Sequence, residues 1–278
     1  MKANNLSICI PNYGCNKNCP YCISKMTGYV DKNVDLFYRN LQKVKSIADR
    51  SNVNSISFTS KGEILYHYRS IDILTELIEY FSSNFALELQ TNGTKLNENI
   101  IKELHNKGLD TIAISIDNHN DFYNYSDIIS LAKQFGFTIR TTVNLLPNIY
   151  KHSPLVFFKF CLEHNVDQIS FRNISVPTNY KSDSTEADKT INWIEKNINN
   201  QEVEEFIYDY KNLINKNGNE VMKLPYGAVI YDVFGISTTY FDYCIQDQSN
   251  GEDIRSLIYH EDGHLSTTWY GSHVGRIL

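Results

Sequence analysis

Between residues 6 and 173 the chain repeats one plan: a short apolar or alternating run, then a segment whose apolar positions recur every three to four residues. The strand-like runs are residues 6–10, 55–60, 86–91, 111–116, 137–143 and 168–171. The intervening helical faces carry Phe37, Leu41, Val44 and Ala48, then Leu74, Leu77, Ile78 and Phe81. They continue with Ile100, Ile101 and Leu104, closed by Gly108, and with Ile128, Leu131, Ala132 and Phe135, stopped by Gly136. Ser153 and Pro154 supply an N-cap and a first helical residue for a helix reaching His164. Strands that alternate with helices pair in parallel, because a parallel connection needs a crossover of about a dozen residues or more. The pattern predicts an α/β fold, a partial (β/α)6 barrel.

After residue 173 the pattern changes. A polar linker over 177–188 leads to helical patterns near 191–194 and 203–214. Strand-like runs follow at 228–234, 238–244, 254–259 and 265–270, with Glu261-Asp262-Gly263 as a turn. The expected organisation is a β/α core over 1–178 and a C-terminal α+β extension over 179–278 that partly covers the strand ends.

Composition narrows the classes. With 42% hydrophobic and 21% charged residues, 278 residues can bury a substantial core. No apolar run reaches membrane-spanning length and the N-terminus lacks a secretory core, so the expected location is the cytoplasm, with no membrane partner. A net charge of −6 argues against a broad nucleic-acid footprint.

Six cysteines, three of them within eight residues, read as metal ligands rather than a disulfide framework. Cys15, Cys19 and Cys22 form a C-x3-C-x2-C triplet after the first strand. Three thiolates hold three irons of a cubane and leave the fourth without a protein ligand. The alternative is a structural zinc site, which usually takes four protein ligands, and no fourth is evident nearby. Cys9 and Cys161 read as buried, unreactive thiols. No Walker motif, dinucleotide fingerprint or serine-nucleophile elbow competes for the site.

The triplet, the aromatic Tyr21 before its last cysteine and the serial β/α units together resemble the radical S-adenosylmethionine (radical SAM) superfamily over residues 5–175. The resemblance implies one [4Fe-4S] cluster on Cys15, Cys19 and Cys22, S-adenosylmethionine bound at the open iron, and reductive cleavage to a 5'-deoxyadenosyl radical. It also implies a flavodoxin or ferredoxin as electron donor. Ser60-Lys61-Gly62-Glu63 stands where the family often has Gly-Gly-Glu-Pro, so Gly62 and Glu63 are cofactor-binding candidates, Glu63 for the methionine ammonium. Lys61 and Ile64 depart from that motif. Thr91-Asn92-Gly93 resembles a Thr-Asn-Gly often found after the third strand, and Ser115 and Asp117 lie correspondingly on the fourth. Asn144 and Arg172, with Arg140 as a second basic candidate, complete the set at the strand ends where barrels place their chemistry.

Only Cys244 follows Cys161, so no second cluster is expected, which favours redox-neutral or hydrogen-returning chemistry. Cys244 and Tyr243 are the catalytic candidates for returning a hydrogen atom, with Tyr231 and Tyr240 as further tyrosines. His260, His264 and His273, with Trp269 and Tyr270, are candidates for a substrate mouth or a metal site. The chain reaches its first strand almost at once, which favours a small-molecule or nucleotide-like substrate over a peptide. A peptide-modifying maturase and a non-catalytic iron-sulfur or zinc-binding interaction protein are the other readings.

Overall fold

The computed structural model describes residues 2–27, 31–176, 184–224, 228–242, 249–250, 253–269 and 275–278. The six expected strands are β1 (Ala3–Cys9), β2 (Ser55–Thr59), β3 (Ala86–Thr91), β4 (Thr111–Ile116), β5 (Thr138–Leu145) and β6 (Gln168–Asn173). Between them run α1 (Val34–Arg50), α2 (Tyr68–Phe81), α3 (Glu98–Lys107), α4 (His119–Asn124), α5 (Ser126–Gln134) and α6 (Pro154–Glu163). All six strands pair in parallel and in sequence order.

Alternation along each strand divides the sheet into two chemically different faces. Leu6, Ile8, Ile56, Phe58, Leu87, Leu89, Ile112, Ile114, Ile139 and Phe171 are all essentially buried. They form the core with the helices, against Phe37 and Val44 of α1, Leu74 and Phe81 of α2, and Ile101 and Leu104 of α3. Each such side chain contributes about 1.5–3 kcal/mol by leaving water. On α5 the buried residues are Ile129 and Ala132, while Ile128 and Leu131 are only partly covered. Gly108 caps α3 at φ 95°, as its place after the last periodic residue predicts. Ser153 does precede α6, yet its side chain makes no capping hydrogen bond.

The C-terminal segment lengthens the same sheet at both edges. After α7 (Thr185–Asn197) and α8 (Asn200–Asn217) come β7 (Gly218–Lys223), β8 (Val229–Val233) and β9 (Ile236–Phe241), an antiparallel meander whose last strand lies parallel to β6. Then β10 (Ser249–Asn250), β11 (Asp253–Tyr259) and β12 (Leu265–Ser266) close the opposite edge, with β11 parallel to β1. Strands β9 and β11 therefore flank the six-strand run. No ladder joins them among the described residues, so the barrel stays open. The guanidinium of Arg255 nevertheless lies 5.6 Å from the Phe241 ring across that seam.

The described members of the expected histidine cluster lie away from the cysteines. His260 is buried, and its Nε2 lies 2.8 Å from Ser266 Oγ and 3.1 Å from the Thr268 carbonyl oxygen. Burial pushes its pKa down to about 4, so it is neutral packing at ordinary pH. His264 pairs with Asp262 in the turn whose Gly263 carbonyl accepts from Asn40 of α1. Neither these histidines nor Trp269 line a cavity around the cysteines, and Tyr270 and His273 lie outside the described residues. No helix among the described residues is long and apolar enough to cross a membrane.

Candidate functional site

The loop after β1 carries Cys15, Cys19 and Cys22 across the C-terminal ends of the parallel strands, pinned there by two other segments and one bond of its own. Asn12 N donates to Glu261 Oε2 at 2.8 Å, Gly14 N donates to Asn12 Oδ1 at 2.8 Å, and Glu63 N donates to the Gly14 carbonyl at 3.0 Å. Inside the loop, Lys25 Nζ donates to the Cys19 carbonyl at 3.0 Å. Cys15 is exposed, Cys19 and Cys22 are half-buried, and all three are free thiols.

These thiols open on a cleft of about 210 Å³ that also contains Glu63, Thr91, Ser115, Asp117, Asn144 and Arg172. One strand parity explains the convergence. Ser115, Asn144 and Arg172 sit on the face opposite the buried Ile114, Val143 and Phe171, so they look inward.

Glu63 is the most firmly held group in the cleft. It is 4% exposed. Its Oε1 accepts from Thr91 Oγ1 at 2.6 Å and Leu65 N at 3.1 Å, and its Oε2 accepts from Asn92 N at 2.7 Å. Burial pushes its pKa up, against the pull of those hydrogen bonds and of Lys17. A carboxylate oxygen accepts two bonds comfortably, so Oε2 keeps one acceptor position for a cation. The Ile64 that replaces a family proline is buried and starts a 3-10 turn, Ile64–Tyr66.

Gly62 is needed for packing. A Cβ there would come within 2.3 Å of both Asn12 Oδ1 and the Gly14 carbonyl oxygen, the atoms that shape the cysteine loop. Gly62→Ala is expected to displace that loop, costing about 1–3 kcal/mol in folding stability. Iron bound after anaerobic reconstitution should fall severalfold. Full iron content and an unshifted melting curve would show that the two loops do not abut.

Asn92 lines the cleft too, and it also braces the loops around it. Its backbone holds Glu63, while its Nδ2 donates to Asn16 Oδ1 at 3.0 Å and its Oδ1 accepts from Thr94 Oγ1 at 2.6 Å, which ties the cysteine loop to the β3–α3 connection. Asp117 accepts from Asn144 Nδ2 at 2.7 Å and pairs with Lys17 Nζ at 3.4 Å. Burial, the largest influence, works against the charge on Lys17, yet Asp117, Tyr125 and Asp121 together outweigh it and hold its pKa above the usual lysine value. Tyr21 packs against Trp193 of α7 at 5.5 Å between ring centroids. Burial and then Asp117 and Cys19 push its hydroxyl pKa up. Burial likewise raises the thiol pKa of Cys15 and Cys19, the latter against a hydrogen bond from Tyr21.

Arg140 does not belong to this cleft. It lies deeper in the barrel, paired with Glu88. Cys9 and Cys161 are buried thiols pushed up to about 12 by desolvation, as their placement in a strand and a helix predicts. Tyr243 and Cys244 fall outside the described residues. Sequence reasoning missed Lys17, although a cation inside a thiol triplet is a legible signal. It also missed Gln90, Trp193 and Glu261, which carry none.

Among the described residues, no three Cys, His, Asp or Glu side chains converge on a single-ion position. Three free thiols that open on one cleft are the donor set that holds three irons of a [4Fe-4S] cluster and leaves the fourth open.

The sequence model of the Radical SAM superfamily matches residues 9–148, which contain the cysteine loop, Glu63 and the strand-end residues through Asn144. An uncharacterized protein of Methanocaldococcus jannaschii, MJ0103, is 31% identical over 194 residues, covering 61% of this chain and 43% of that protein. The tungsten-containing aldehyde ferredoxin oxidoreductase cofactor-modifying protein of Pyrococcus furiosus is 31% identical over 104 residues, 37% of this chain and 28% of its own length. The chain thus spans less than half the length of these curated relatives. The crystal structure of SuiB from Streptococcus suis superposes with a TM-score of 0.61 at 12% identity, covering 95% of this chain and 60% of SuiB, a likeness of fold.

Proposed function

Because this chain belongs to the radical SAM superfamily, whose members use a [4Fe-4S] cluster and S-adenosylmethionine, we propose that it is an enzyme acting on a small metabolite or nucleotide-like substrate. The chemistry such a cofactor pair supplies is reductive cleavage of S-adenosylmethionine, with the resulting 5'-deoxyadenosyl radical taking a hydrogen atom from substrate. One observation carries the reading: three free thiols open on the same cleft as a buried carboxylate that retains one acceptor position.

The chain's own residues bind and orient. Cys15, Cys19 and Cys22 would hold the cluster. Glu63, fixed by Thr91 and Asn92, offers a pre-positioned anion to the ammonium of S-adenosylmethionine, a charge-assisted contact in a partly desolvated site. Ser115, Asp117 and Asn144 present hydroxyl, carboxylate and amide groups suited to the ribose and carboxylate of the same molecule. Tyr21 and Trp193 form an aromatic wall beside the cysteines, so α7 of the 179–278 segment acts as part of a cover that excludes water. The electron donor is a low-potential flavodoxin or ferredoxin. The polar interior below the cleft, about 390 Å³, favours a small polar substrate over a peptide.

The test is formation of 5'-deoxyadenosine by anaerobically reconstituted protein reduced with dithionite. Tight binding of S-adenosylmethionine without any cleavage, with candidate substrates present, would turn the reading towards a non-catalytic binding protein.

A further inference from the structure

Below the cysteine cleft the open barrel interior carries several polar and charged side chains beside apolar ones. Closed eight-stranded β/α barrels fill their centre with bulky branched side chains. Here Asn5, Ser57, Glu88, Arg140, Gln168 and Ser237 face a common cavity of about 390 Å³. Most apolar side chains of β1 to β5 point the other way, into the helices, while Ile169 of β6 and Phe241 of β9 also line the cavity. Burying that many polar groups costs stability unless each is satisfied, and charged groups cost most.

Among its described lining residues, the guanidiniums of Arg140 and Arg172 lie on the same cavity as one carboxylate, Glu88. Glu88 is also occupied. Its Oε1 accepts from Ser57 Oγ at 3.3 Å and from Gln90 Nε2 at 3.2 Å, and pairs with Arg140 Nη2. Arg140 meets Glu88 through one nitrogen, and a guanidinium offers five donors in a fork made for oxyanions. Its buried Nε has no hydrogen-bond partner. Desolvation lowers the Arg140 pKa, and the charge of Arg172 acts in the same direction, so the two cations sense each other. Both Gln90 and Arg172 line the cysteine cleft as well, so these two side chains form the wall that the cavity shares with the place where chemistry would occur.

The geometry points to an anionic small molecule as the occupant of this cavity, with its carboxylate or phosphate group gripped by Arg140 and Arg172 and its uncharged part directed past Gln90 towards the cleft. This names a substrate class for the proposed function and rests on that reading. Arg255 stands at the open seam beside Phe241 and adds a third positive group on the side where β9 and β11 do not pair. Glu88 acts against the anion electrostatically while keeping Arg140 in place.

Equilibrium dialysis of the reconstituted full chain with inorganic pyrophosphate, with succinate and with neutral glycerol tests the assignment. Saturable one-to-one binding is expected for one of the two anions and not for glycerol, and the anion that binds separates phosphate from carboxylate. Arg140→Gln should weaken it by about tenfold or more, the loss of a charge-assisted contact. Glu88→Gln should leave it unchanged or tighten it. If Arg140→Gln does not fold by circular dichroism, Arg255→Gln and Glu88→Gln, with their opposite expected signs, decide the matter. Absence of saturable binding for both anions, equal binding of glycerol, or weaker binding in Glu88→Gln overturns the inference. 5'-Deoxyadenosine formation without anion binding sinks this inference alone. Anion binding without 5'-deoxyadenosine sinks the proposed function alone.

Discussion

Cys19→Ala should leave a folded protein that no longer retains iron and sulfide after reconstitution and cleaves S-adenosylmethionine at less than about a thousandth of the wild-type rate, at least roughly 4 kcal/mol in barrier. The size of the effect follows from ligand count. Three thiolates are the minimum for a cubane with one open iron, so losing one removes the site instead of weakening it. Cys19 is the informative position because its loop is held by contacts independent of the thiol, including Lys25 on its carbonyl and the Glu63–Gly14 backbone bond. Cys161→Ala is the matched control. That thiol is buried in α6 with Thr141 at 4.0 Å, far in function from the cleft, and its removal should cost about 1 kcal/mol of stability with iron content intact. Wild-type iron content in Cys19→Ala would show that the triplet does not hold the cluster.

The contrast between what the sequence disclosed and what it hid has a physical pattern. Strands β1 to β6 were legible because their outward residues must be apolar to cover the helices, which writes a strong alternating signal. Strand β7 was not, since Glu220 to Lys223 are exposed on both faces and no burial constrains their order. Pairing of β11 beside β1 brings Ser256 against Asn5, a contact between residues at opposite ends of the chain that no local pattern encodes. The clasp of Glu261 on Asn12 was hidden for the same reason. His260 misled because a histidine near a turn looks available, whereas Ser266 and Thr268 had already satisfied its ring. Arg140 misled by depth: it shares the inward face with Asn144 but lies deeper along β5, so it faces Glu88 instead of the cysteines.

Glu63 is where sequence and structure make the sharpest joint claim, and its variants separate binding from assembly. Glu63→Ala should raise the dissociation constant for S-adenosylmethionine roughly 10- to 100-fold, the range expected for losing a hydrogen bond to a charged group. Iron content should stay near wild type, because the backbone bond from Glu63 N to Gly14 that steadies the cysteine loop survives the substitution. Glu63→Gln should be nearly as damaging despite its similar size. One side of an amide must donate, while both carboxylate oxygens now accept: Thr91 Oγ1 and Leu65 N on one, Asn92 N on the other. Whichever way the amide turns, an N–H meets a backbone N–H, and the negative charge is gone. Thr91→Val keeps the shape but deletes one donor, so a smaller loss of at most about tenfold is expected. In Glu63→Ala/Thr91→Val the second change should add almost nothing, since the hydroxyl acts through the carboxylate it orients. Equilibrium dialysis at matched iron content reads all four proteins. Additive losses would mean that Thr91 touches the cofactor independently, and an unchanged dissociation constant in Glu63→Ala would reduce Glu63 to a packing residue.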